Sequence, residues 1–100
     1  MVFPRPATRI FDVDIVHCSL PVRAMGSPNV LVNRRPWNRM GDFNFPHLLP
    51  CGITCCVHAA PIAMGSKTVF VNGRPAGRVG DYVLGCTVVA TGSTNVFAGG

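Results

Sequence analysis

Val69-Phe70-Val71-Asn72-Gly73-Arg74-Pro75-Ala76-Gly77-Arg78-Val79-Gly80-Asp81 is the stretch that decides the fold. Two runs suited to extended backbone flank Asn72-Gly73, the dipeptide that best accepts the positive φ angles of a two-residue type I′ turn. Val69-Phe70-Val71 therefore reads as a strand that returns through residues 74–79, with Pro75 giving the return a rigid, extended start.

The same elements recur along the chain. Arg5-Pro6-Ala7-Thr8-Arg9, Arg35-Pro36-Trp37-Asn38-Arg39 and Arg74-Pro75-Ala76-Gly77-Arg78 stand at offsets of 30 and 39 residues. In each, an Asp follows the second Arg by three residues: Asp12, Asp42 and Asp81. Each Asp reads as a turn residue that accepts backbone N–H groups and pairs with its own Arg. A second element, G-S-x-x-V, precedes the hairpins at Gly26-Ser27, Gly65-Ser66 and Gly92-Ser93. The first hairpin has Asn33-Arg34 where the second has Asn72-Gly73. Arg tolerates the left-handed conformation less well than Gly, so a longer or bulged turn is expected there.

The third copy is cut short. Val96-Phe97 runs into Ala98-Gly99-Gly100 with no R-P segment behind it, and the missing return strand stands at the other end, in residues 2–9. The termini are therefore expected to meet, with Val2–Phe3 near Val96–Phe97, closing three hairpins around a pseudo-threefold axis and leaving few open edges. The expected fold is all-β: a small conical domain over residues 1–100, with repeats at about 1–24 joined by 92–100, 26–50 and 65–91.

Composition agrees. Gly and Pro supply 20 of 100 residues, spread between short apolar runs as turn punctuation. At 48% hydrophobic and 13% charged, the chain is too apolar for disorder. No apolar run approaches the roughly 20 residues of a membrane-spanning helix. The first eight residues lack a signal-type apolar core, so a cytosolic start is expected. With no Glu and four Asp, paired-carboxylate catalysis is poorly supplied. Five cysteines without an export signal argue against a disulfide framework. Cys18, Cys51, Cys55 and Cys56 read as small buried hydrophobes. Trp37 and Tyr82 are read as packing residues.

Five residues beyond each repeat Asp stands a metal-ligand type: His17, His47 and Cys86. Threefold symmetry would gather these equivalent positions near the axis at one end. The separations from Asp to the following Gly are 14, 23 and 11 residues, and the long middle excursion holds His58, the one histidine left over. His17, His47, His58 and Cys86 would make a closed tetrahedral set for a structural zinc ion. A competing local cluster is Cys51, Cys55, Cys56 and His58.

These repeats resemble those of the PAAR proteins, named for Pro-Ala-Ala-Arg. Pro75-Ala76-Gly77-Arg78 and Pro6-Ala7-Thr8-Arg9 each depart from that motif at one position, while Pro36-Trp37-Asn38-Arg39 keeps its ends. The likeness spans Pro6 to Phe97. It implies a small β cone with zinc near the apex, bound by three His and one Cys. It implies a non-enzymatic cap, one monomer per trimeric VgrG-like or phage tail spike, that sharpens the tip for membrane piercing and can carry effector proteins; with termini that add nothing beyond the repeats, a stand-alone cap is expected. The resemblance further implies assembly in the bacterial cytoplasm, followed by translocation as a secreted tip or carriage on a virion tail. Val30, Val32, Val69, Val71 and Val96, or their strand neighbours, are expected in the docking base.

Two rivals are kept. A net charge of +5 admits a zinc-stabilised nucleic-acid-binding module, although an Asp three residues after each repeat Arg favours local pairing. A cysteine hydrolase would need a free thiolate at Cys86 or Cys56.

Overall fold

In the computed structural model, which describes residues 4–100, the described residues form short strands and no helix. The strands are β1 (Arg5–Pro6), β2 (Leu31–Val32), β3 (Arg35–Pro36), β4 (His47–Cys51), β5 (Thr54–His58), β6 (Phe70–Val71), β7 (Arg74–Pro75), β8 (Tyr82–Val83), β9 (Thr87–Val88) and β10 (Phe97–Ala98). All pair antiparallel, as β2–β3, β6–β7, β10–β1, β4–β5 and β8–β9.

Three of these hairpins are one hairpin written three times. Val32 pairs with Arg35, Val71 with Arg74 and Ala98 with Arg5. The two ends of the described chain therefore meet as a strand pair; Val2–Phe3 lie outside the described residues. Asn33 and Arg34 take φ of 53° and 69°, matching 54° and 77° at Asn72 and Gly73. The first hairpin thus keeps the two-residue turn, and the longer turn expected for it is corrected. Asn33 is pinned from outside: its Oδ1 accepts from Arg9 Nη1 and Ser93 Oγ, and its Nδ2 donates to Asn95. Those bonds hold Arg34 in a conformation it would not choose.

The repeats are joined head to tail into a ring. Backbone bridges link Arg9 to Trp37, Arg39 to Ala76 and Arg78 back to Ala7, which is one contact carried around a threefold cycle. The ion pairs follow the same cycle. Arg9, Arg39 and Arg78 each bind their own Asp through both backbone and side chain, as the spacing predicts. Arg35 reaches Asp12 at 2.9 Å, Arg74 reaches Asp42 at 3.6 Å and Arg5 reaches Asp81 at 2.8 Å. Every repeat Asp is held between its own Arg and the next repeat's.

The G-S element has a packing reason. A Cβ on Gly26, Gly65 or Gly92 would come within 2.9, 2.8 and 2.6 Å of the carbonyl oxygens of Pro36, Ala76 and Ala7, so backbone must pass where a side chain would stand. Ser27, Ser66 and Ser93 then accept the amide protons of residues two and three further on, closing the turn.

Two apolar clusters result. Ala7, Val32, Trp37, Val71, Ala76 and Ala98 form one, with Val30, Val69 and Val96 packed on it. Trp37 also donates through Nε1 to Gly77 O, a packing role as expected, whereas Tyr82 is exposed. The valines proposed for a docking face are thus turned inward, since alternation sends their neighbours Leu31, Phe70 and Phe97 outward. Ala60, Ile62, Val83 and Val89 make the second cluster, against which Cys86 lies.

Candidate metal centre

A second ring of bridges lies beside this second cluster and positions the site. Arg23 pairs with Asn44, Ile62 with Val83 and Val89 with Asp14, again one contact repeated around the axis. Asp14, Asn44 and Val83 each stand three residues before His17, His47 and Cys86. The ring therefore delivers those three side chains to one place. His58 comes from β5, whose register pairs it directly with His47 across the longest hairpin.

The four side chains converge, their ligand atoms all lying within 4.8 Å of one another. His17 Nε2 is 2.9 Å from Cys86 Sγ, His47 Nε2 is 3.3 Å from it and His58 Nε2 is 3.3 Å. His47 and His58 bring their Nε2 atoms to 2.8 Å. The far side of two rings is occupied: His17 Nδ1 donates to Leu48 O at 2.7 Å and His47 Nδ1 to Phe45 O at 2.9 Å. A proton held at Nδ1 leaves the Nε2 lone pair free to face the sulfur.

Electrostatics sharpen the arrangement. Burial pushes the Cys86 thiol up, and the Asp14 carboxylate adds to it. Burial, followed by the neighbouring His47 and His17 rings, pushes His58 down toward its neutral form. Three imidazole nitrogens and a sulfur thus face a common point. Such a set could hold a metal ion, and three nitrogens with one sulfur suit a borderline-soft tetrahedral cation.

Sequence reasoning missed what stands behind these four side chains. Arg23 and Asp14 have fully buried side chains, with Nη1 and Oδ1 3.8 Å apart. Asn44 Nδ2 donates to Asp14 Oδ2 at 3.1 Å, and Asn44 Oδ1 accepts from the Ala60 amide at 2.9 Å. Arg23 Nη2 donates to the carbonyls of Asp42 and Ala60. In the other repeats the places of Arg23 belong to Ile62 and Val89, so identity between copies gave no signal.

The cysteines require a correction. Cys18 is bonded to Cys55 and Cys51 to Cys56, with Cα–Cα separations of 6.1 and 5.9 Å, leaving Cys86 free. They are not buried hydrophobes: Cys55 and Cys56 are exposed, Cys18 and Cys51 half-buried. The β4–β5 register explains it, setting Cys51 opposite Thr54 and thus diagonal to Cys56, while Cys55 faces the other side toward Cys18. The local cluster of Cys51, Cys55, Cys56 and His58 is not assembled, because three of its members are in disulfides and His58 turns to the other imidazoles.

Comparison with known proteins bears on one half of the chain directly. Residues 51–100 match the family of the PAAR motif. No curated protein matches the chain.

Proposed function

Because the chain belongs to the PAAR-motif family, we propose that it caps a trimeric, VgrG-like or phage-tail spike and that His17, His47, His58 and Cys86 hold a structural zinc ion. The observation that carries this reading is the closed threefold cycle of bridges and ion pairs. It turns one chain into an object whose symmetry suits a trimer, and it gathers repeat-equivalent ligands.

The spike would meet the hairpin-bearing side. Leu31, Phe70 and Phe97 occupy one equivalent position in the three hairpins and are 56%, 57% and 51% exposed, a triangle of apolar side chains that suits a threefold partner. Each hairpin is only two strands wide and offers unpaired backbone groups beside them. A zinc ion would supply cross-links among three chain segments, where few side chains are available to pack. The cap would then serve as a stiff point for piercing a membrane and as a place where effector proteins attach.

The rivals find less support. Seven of the nine basic residues are in ion pairs with Asp, leaving Arg34 and Lys67 outside these pairs among the described residues. For a hydrolase, the Cys86 thiol is pushed in the wrong direction for a nucleophile, and Cys56 is in a disulfide.

Metal analysis of the purified chain beside Cys86→Ala and His17→Ala tests the site. Near-stoichiometric zinc in the parent, lost in both variants, is the expected outcome; equal metal in all three would refute the ligand set. Co-purification with a spike trimer, abolished by Leu31→Asp with Phe70→Asp, tests the docking side.

A further inference from the structure

The hairpin β4–β5 departs from the rest of the molecule. It is the longest strand pair among the described residues, it is mostly exposed, and its turn carries Ile53 fully in solvent. Its side chains add little to either apolar cluster. Yet it supplies His47 and His58, and the segment beside it supplies His17. What joins the His17 segment to the hairpin is sparse: Leu48 N donates to Ser19 Oγ at 2.8 Å, His17 Nδ1 donates to Leu48 O, and the Cys18–Cys55 disulfide crosses between them.

The disulfides stand where they matter for the ligands. Cys18 is the neighbour of His17, and its bond to Cys55 ties the His17 segment to the strand that ends in His58, closing a separation of 37 residues. Cys51–Cys56 braces the same hairpin from its other face. Cys55 and Cys56 are exposed, so a soluble thiol or disulfide can reach their sulfurs. Cys86, half-buried among three imidazoles, is the one cysteine kept out of this pairing.

We infer that Cys18, Cys51, Cys55 and Cys56 are a redox-addressable staple of the tip, a second fastening for the segments that the metal fastens when bound. In forming each bond two thiols lose two protons and two electrons. The acceptor is a protein or small-molecule disulfide, which leaves as two thiols. In the reduced chain only the ion and two hydrogen bonds to Leu48 join the His17 segment to the hairpin. In the oxidised chain the Cys18–Cys55 bond does so too, with Cys51–Cys56 bracing the hairpin itself, and the tip keeps its shape when the ion leaves. The metal half of this inference rests on the zinc reading above; the covalent half does not.

The full-length chain is prepared with oxidised glutathione or with a phosphine reductant, and each form is melted with and without EDTA. Alkylation of unfolded, metal-free samples should label one cysteine after oxidation and five after reduction. EDTA should lower the melting temperature of the reduced form and shift the oxidised form much less. Without metal, the oxidised form should melt about 10 °C higher than the reduced one. The pair of substitutions Cys18→Ser and Cys55→Ser should make oxidised protein respond to EDTA as reduced protein does. Cys51→Ser with Cys56→Ser, which leaves the long-range bond, should respond less. If zinc never binds, the zinc reading fails while the melting difference between metal-free forms still decides the staple. Equal melting of those two forms overturns the inference. So does Cys86 appearing in a disulfide, or a second equivalent of zinc bound by the reduced chain.

Discussion

At the residue scale, the buried group behind the converging histidines and Cys86 is the unusual feature. Arg23, Asp14 and Asn44 form a polar patch in a ring whose other members are Ile62, Val83 and Val89. Taking one partner from a buried ion pair leaves an uncompensated charge, so Arg23→Leu should destabilise the fold by about 3–5 kcal/mol. Replacing all three with apolar residues like those elsewhere in the ring, as Arg23→Leu, Asp14→Val and Asn44→Val, should recover most of that loss in urea denaturation. A triple variant weaker than the single one would mean that the polar patch itself supplies the stability. The carboxyls also separate by pH. For Asp12, burial raises the pKa, but hydrogen bonds from Arg9 and the charges of Arg9 and Arg35 overcome it and bring it down. Its contribution is present above the ordinary aspartate range and is lost as pH falls through the lowered folded value. Asp14 is raised, first by burial, which exceeds the pull of Arg23. Its proton is taken up earlier on acidification, and that uptake favours the folded state. Carboxyl carbon titration of metal-free protein should therefore show Asp14 protonating before Asp12, and the reverse order would contradict this account. The same residues show what the sequence could tell. The R-P-x-x-R-x-x-D frame was legible because every copy keeps its residue types, and so were His17, His47 and Cys86 five residues on, which the structure brings together. Asp14 and Arg23 were not, because their equivalents are chemically unlike them.

At the scale of single elements, the turns and the long hairpin behave differently. Asn33-Arg34 adopts the turn that Asn72-Gly73 adopts, with a non-glycine at φ 69°. Arg34 is exposed, so Arg34→Gly removes left-handed strain and little packing; it should stabilise by about 1 kcal/mol, after the entropy that glycine adds to the unfolded chain is set against it. Gly73→Arg should lose a similar amount. A thermal melt of both variants checks the pair, and opposite shifts are the expected result. Turn chemistry read from the dipeptide alone erred for the first hairpin because Arg9, Ser93 and Asn95 hold Asn33 from the neighbouring repeat. The β4–β5 hairpin was hidden for a related reason. Its disulfides depend on a register and on the approach of Cys18 from 37 residues away, and no local pattern encodes either.

At the scale of the whole molecule, closure makes the position of the chain ends arbitrary. Ala98 pairs with Arg5 as Val32 pairs with Arg35 and Val71 with Arg74, so the break in the chain falls where the other two repeats have a turn. Arg78 Nη1 even donates to Gly99 O where Arg9 and Arg39 donate to the turn residues Asn33 and Asn72. If the ring is the unit of stability, moving the break to an equivalent turn should matter little. A circular permutant that joins Gly100 to Met1 and opens between Asn72 and Gly73 should fold and melt within a few degrees of the parent. It should also keep the parent's metal content, since the opening lies outside the segments that carry His17, His47, His58 and Cys86. Cutting the ring without rejoining it is a different operation. Ending the chain at Thr94 removes β10, the buried Ala98 and the acceptor of Arg78 together. Nothing in the sequence distance between residues 5 and 98 favours their pairing, so the loss must be borne by two open repeats with exposed edges. That truncation should unfold at far lower urea than the permutant; equal midpoints would show that two repeats are self-sufficient and that closure is incidental.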